Sequence, residues 1–238
     1  LSSTDITPYE DLINKWHLEK KEKDNEKSVP IKPITFWIEN TTPYELRPII
    51  KNAVLAWNIA FEEAGFIDAI EVKIQPDDAD WSAGDIRYNV LRWTSSPNPP
   101  FGGYGPSFTN PRTGEILGAD IMLEWIYLTN RVRYSEIFEN QEIRENDFCH
   151  NSLIKQENRI FGKLATEALD LNENEISRLY EEDLYQLILH EVGHTLGLNH
   201  NFAASTLHNN SDVHNPEITY KEGLSSSVMD YHALNIAP

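Results

Sequence analysis

Residues 190–200 read His190-Glu191-Val192-Gly193-His194-Thr195-Leu196-Gly197-Leu198-Asn199-His200. They close a run from about Glu182 to Leu196 in which Leu184, Leu187, Ile188, Leu189, Val192 and Leu196 surround much of a helix instead of marking one stripe, the pattern of a buried helix. Side chains four residues apart on a helix project about 40° from one another, so His190 and His194 can both reach one metal ion. Glu191 is then aimed beside the metal, not at it, where a carboxylate can act as general base on a metal-bound water. His200 needs a break in the helix. Ten residues of straight helix would carry it about 15 Å from His190, whereas the nitrogens bound to one zinc lie within roughly 3.5 Å of each other. Gly197 stands where a left-handed residue would end the helix and turn His200 back toward the metal.

Three neutral imidazoles leave a fourth position open and the ion's full charge in place, as in catalytic zinc sites; structural zinc sites are usually closed by cysteine. Cys149 is the only cysteine of the chain, so no intrachain disulfide forms, and the shortage of thiolates argues against a closed structural site. Chance alone would produce His-Glu-x-x-His in about 0.03 of chains of this composition, and adding Gly197 and His200 lowers that to roughly 10⁻⁵ to 10⁻⁴, so the longer pattern carries the inference.

Upstream, Ile34-Thr35-Phe36-Trp37-Ile38 is rich in β-branched and aromatic residues and reads as a strand. Thr42-Pro43-Tyr44-Glu45 then combines an N-cap Thr, a helix-starting Pro and a capping-box Glu. Apolar residues recur at helical spacing from Leu46 to Ala64 and stop at Gly65, which predicts one long helix. Ile70–Ile74, Asp85–Trp93 and Glu115–Trp125 are further strands, the last two separated by a Pro-rich loop over 97–106 and a turn at 110–114. Residues 131–170 read as polar and helical, and 201–226, rich in Asn, Ser and His, as loop. His208, Asp212 and His214 in that loop are read as solvated residues and not as a second metal site.

The motif at 190–200 resembles the metzincin signature. Ser227-Val228-Met229-Asp230-Tyr231 resembles its Met-turn, with Met229 beneath the imidazoles and Tyr231 in the position that can ligate zinc or stabilise an oxyanion. Trp16-His17-Leu18-Glu19-Lys20, Pro33-Ile34-Thr35-Phe36, Ala56-Trp57, Ala64-Gly65-Phe66, Arg87-Tyr88, Pro111-Arg112-Thr113-Gly114-Glu115-Ile116 and His200-Asn201-Phe202-Ala203-Ala204-Ser205 extend the likeness to a family of large bacterial zinc-dependent metalloproteases.

The resemblance implies an α+β fold: a metzincin-like zincin with a twisted, mostly parallel sheet, one antiparallel edge strand, two long helices and a small lower subdomain. Glu115–Trp125 is the strand expected at that edge, pairing with extended substrate. It also implies a zinc endopeptidase with His190, His194 and His200 as ligands, Glu191 and Tyr231 as catalytic residues, and a protein or peptide substrate. The expected division is a charged connector over 1–29 and a catalytic domain over 30–238, with the upper subdomain ending near 197. Because that family is multidomain and exported, the chain is expected to belong to a longer protein acting outside the cytoplasm. The alternatives are a protein-binding module that keeps zinc without turnover, and a zinc amidase acting on a non-protein amide.

Composition narrows the partners. With 40% hydrophobic and 11% aromatic residues the chain can bury a core. Twenty Lys plus Arg against 38 Asp plus Glu leave a formal charge of −18. Such a field repels phosphate backbones and anionic lipid, which argues against nucleic acid. No apolar run is long enough to insert in a membrane.

Overall fold

The computed structural model describes residues 11–96, 103–124 and 173–231. The segment read as helical over 131–170, and Cys149 within it, lie outside the described residues. Among the described residues six strands form one mixed sheet: β1 (Ile34–Ile38), β2 (Ile70–Ile74), β3 (Asn89–Thr94), β4 (Gly103–Tyr104), β5 (Ser107–Thr109) and β6 (Ile116–Glu124). The order is β2-β1-β3-β6-β4, with β5 also paired to β6. Contacts through β2, β1, β3 and β6 are parallel, and β4 and β5 run antiparallel to β6. This is the expected α+β architecture with its mostly parallel sheet.

One strand assignment is corrected. The Glu115–Trp125 segment was expected at the antiparallel edge, but β6 pairs parallel with β3, Val90 opposite Asp120 through Thr94 opposite Glu124. Its other side is covered by β4 and β5. The burial pattern gives the reason: Ile116, Gly118, Ala119, Ile121, Leu123 and Glu124 are all buried, which suits an interior strand. The antiparallel edge is supplied by the short strands of the glycine-rich stretch instead.

The first helical segment also differs from its sequence pattern. It begins a turn late and runs as α1 (Arg47–Ala56) and α2 (Asn58–Glu63). Thr42 caps nothing: it is buried, its N–H donates to the Glu39 carbonyl, and its own carbonyl accepts from Arg47 Nε at 2.9 Å. At the break, Trp57 N–H reaches back to Val54, while its indole Nε1 donates to the Leu189 carbonyl at 3.1 Å. The next helix among the described residues, α3 (Glu173–Thr195), carries the motif. It starts earlier than its apolar pattern suggests.

The core lies between sheet and helices. Ile34, Phe36 and Ile38 of β1 meet Ile50, Ala53 and Val54 of α1 and Leu184, Leu187, Ile188 and Val192 of α3. Burying such side chains contributes roughly 1.5–3 kcal/mol each, so α3 is fixed by its apolar faces before any metal is considered. The charged stretch 17–28 keeps most of its side chains in water, yet its backbone is anchored. Lys20 bridges Pro30, Ser28 bridges Phe66, and Trp16 and Leu18 pack on the core. No helix among the described residues is long and apolar enough to cross a membrane.

Candidate metal centre

α3 ends in a Schellman turn. Gly197 N–H donates to the His194 carbonyl and Leu198 N–H to the Gly193 carbonyl, both at 3.0 Å, with Gly197 at φ +94°. A side chain at 197 would be strained by that φ and would also collide with the Asn14 carbonyl. The turn therefore falls where the spacing of the histidines demands it. It sends the chain into a 3-10 helix (Phe202–Thr206) and then α4 (Pro216–Glu222), two short elements within the stretch read as loop.

The turn brings His190, His194 and His200 together, with one ring nitrogen from each lying within 4.8 Å of the others. The tautomers of His190 and His194 follow from their partners. His190 Nδ1 faces the Val228 carbonyl at 2.7 Å and His194 Nδ1 the Leu198 carbonyl at 2.9 Å. A carbonyl only accepts, so each Nδ1 carries the proton, and in a neutral ring Nε2 presents a lone pair. Burial pushes the His194 pKa down, partly offset by the Leu198 carbonyl, which favours that neutral form. His194 Nε2 stands 3.1 Å from His200 Nε2. Two lone pairs at that distance repel unless a proton or a cation lies between them. The spacing is close to the roughly 3.5 Å expected between imidazole nitrogens on one tetrahedral zinc, and a set of three nitrogens suits zinc.

Around this cluster stand the other expected residues. Glu191 is fully buried on α3. Tyr231 places its hydroxyl 2.6 Å from His200 Nε2, and its ring lies 5.3 Å from that of Phe202, which in turn stacks on His200. Met229 is buried against α3 at Gly193, where a Cβ would collide with its sulfur and stand 3.1 Å from Trp57 Cζ2. The Met229 carbonyl accepts from Asn201 N–H at 2.9 Å, so the turn at 227–231 and the residue after His200 are joined directly.

Residues 172–238 match the family model described as Met-zincin. The matched stretch contains all three histidines, Glu191, Met229 and Tyr231. Comparison with curated proteins and with solved structures gives no match. The Met-zincin match and the three-histidine cluster agree on zinc as the cofactor. Among the described residues this is the one group of three or more metal-competent side chains brought together. His208 instead has Nε2 2.8 Å from the Gly223 carbonyl, and Asp212 accepts from Asn209 Nδ2.

Three features of the site were not read from the sequence. Gly103 and Gly105 lie against Glu191: a Cβ at 103 would stand 3.0 Å from Glu191 Cγ, and one at 105 would stand 2.5 Å from the Glu191 carbonyl oxygen. Glycines in and next to a strand signal such close backbone approach. The buried Asp230 accepts from Ser205 Oγ and, at 2.7 Å, from Tyr231 N–H, tying the Met-turn to the 3-10 helix. The third is Trp16, whose indole reaches the end of α3.

Proposed function

We propose that the chain is a zinc-dependent endopeptidase. The observation that carries this reading is the cluster of His190, His194 and His200 with the buried carboxylate of Glu191 on the same helix turn. A zinc ion held by the three imidazoles would supply a Lewis acid for the scissile carbonyl and for the attacking water. Glu191 takes a proton from that water as its oxygen adds to the carbonyl carbon. As the C–N bond breaks, Glu191 returns the proton to the departing amine. Tyr231, whose hydroxyl lies beside His200, swings to donate to the oxyanion. Gly103–Tyr104 at the end of the sheet offers an extended substrate a strand edge beside Glu191, and backbone pairing there selects an unfolded peptide over a compact one. The resemblance of these motifs to a family of exported, multidomain metalloproteases supports action outside the cytoplasm, within a longer protein.

The test is cleavage of a panel of unfolded proteins and a peptide library by the zinc-loaded chain, with Glu191→Ala beside it. Loss of general base catalysis lowers kcat by about 10²–10⁴, while metal analysis gives one zinc per chain for both proteins. Full activity in Glu191→Ala would sink the mechanism. Retention of peptides without cleavage by the unaltered chain would identify a binding module, and release of non-peptide amides alone would identify an amidase.

A further inference from the structure

We propose that Leu12–Trp16 forms a strap that positions the third histidine of the zinc site, an inference resting on the zinc reading above. A helix leaves its last carbonyls without partners inside the helix. The Schellman turn serves the carbonyls of Gly193 and His194. The next, that of Thr195, accepts from Trp16 Nε1 at 2.9 Å, across 179 positions of sequence. Two residues earlier, the Asn14 carbonyl is pressed against Gly197 so closely that a Cβ there would overlap it.

The other side of the strap is fixed to the sheet. Lys15 N–H donates to the Gly114 carbonyl at 3.0 Å, and Ile116 N–H, the first of β6, donates to the Lys15 carbonyl at 2.9 Å. The Ile13 carbonyl lies against Gly114, itself at φ +72°. The strap thus spans two left-handed glycine turns, one opening β6 and the other closing α3, and the Trp16 ring seats it on the core.

The turn at Gly197 decides where His200 lands. It sets the Leu198 carbonyl on His194 Nδ1 and brings His200 Nε2 to 3.1 Å from His194 Nε2. Glycine turns at helix ends fray readily, because little apolar burial opposes opening. With the strap in place, the turn has an outer wall and the helix end has a donor. Trp16 is therefore a positioning residue for zinc affinity, with no contact to the reacting atoms.

Trp16→Phe keeps an aromatic ring and removes the N–H, and Ile70→Val, in β2, serves as a variant of comparable thermal loss in the core. In metal-free protein, the amides of Gly197 and Leu198 should exchange with deuterium several-fold faster in Trp16→Phe, and those of Val90 and Leu91 at the wild-type rate. Competition with a chelator should show the zinc dissociation constant raised by about tenfold, in the range for groups that orient metal ligands, with the visible spectrum of the cobalt-substituted site altered. Ile70→Val should change neither. Wild-type exchange at 197 and 198 would overturn the proposal, as would faster exchange with unchanged zinc affinity. Failure of the unaltered chain to take up zinc would instead strike the proposed function, and the exchange at 197 and 198 would still show whether the strap holds the turn.

Discussion

The sheet-and-helix body and the segment after Gly197 are held by different forces. In the body, Phe36, Ile38, Ile50, Ile121, Leu184, Leu187 and Ile188 are shut off from water and pack as one apolar cluster. Among residues 198–231 only Ala204, Met229 and Asp230 are buried, and hydrogen bonds keep order: Asn201 to Met229, Ser226 to Ala204, Ser205 to Asp230, His190 to Val228. A region with so little apolar burial has little stability of its own. Zinc uptake, which joins His200 of this region to His190 and His194 of the body, should therefore order the segment while adding little to the body.

The largest expected effect tests the body. Ile121→Ala in β6 removes a fully buried side chain and should cost about 2–5 kcal/mol of unfolding free energy by urea titration. In both proteins the urea midpoint of the body should be nearly the same with and without zinc. A midpoint raised by zinc would show that the two regions unfold as one unit.

Gly105→Ala tests the seam between sheet edge and metal helix. Its Cβ would stand 2.5 Å from the Glu191 carbonyl oxygen and 3.1 Å from the carbonyl carbon, both backbone atoms that cannot rotate away. The strain should cost about 1–3 kcal/mol, and displacement of Glu191 should lower kcat more than it raises KM, with zinc content unchanged. Wild-type turnover would mean that the edge can retreat without disturbing the carboxylate.

Ser205→Ala acts inside the polar region. Removing the hydroxyl takes one donor from the buried Asp230 carboxylate, a change worth about 1–3 kcal/mol where water cannot replace it. The urea midpoint of the metal-free body should not move, and the zinc-loaded protein should release zinc more readily to a chelator. A lowered metal-free midpoint would erase the distinction between the regions.

How much of this was legible in the sequence follows the same divide. Ile34–Ile38 and Ile70–Ile74 were read to the residue because apolar and β-branched runs report burial locally. Gly197 could be placed because metal geometry fixes where a helix must stop. The edge strands at 103–104 and 107–109 were missed: two or three residues carry no periodicity, and their pairing with β6 is a non-local choice. β6 was misassigned for the same reason, since one strand's pattern does not name its neighbours. Trp16 was hidden by the charges that follow it, which describe side chains in water and say nothing of the backbone bonds beneath. Thr42 had the right residues for a cap, but its backbone groups were taken by Glu39 and Arg47.

The smallest expected effect lies on β6, where the apolar body contains a carboxyl group. Asp120 is half-buried, and burial raises its pKa above the ordinary 3.8, with the Val90 N–H and the charge of Arg92 opposing the shift without cancelling it. A carboxyl whose folded pKa exceeds its unfolded value holds more protons in the folded state. Its contribution is complete below the unfolded pKa and is lost as pH rises through the folded one. At neutral pH the ionised group is therefore a small burden. Asp120→Asn stays uncharged and keeps an oxygen for Val90 N–H, which now reaches Asp120 Oδ1 at 3.3 Å. The variant should be more stable at pH 7 by less than about 1 kcal/mol, since half-exposure screens the charge. The gap should close as urea titrations are repeated down to about pH 4. A variant less stable than wild type at pH 7 would mean that attraction to Arg92 outweighs desolvation, and that the body draws stability from a charge within its interior strand.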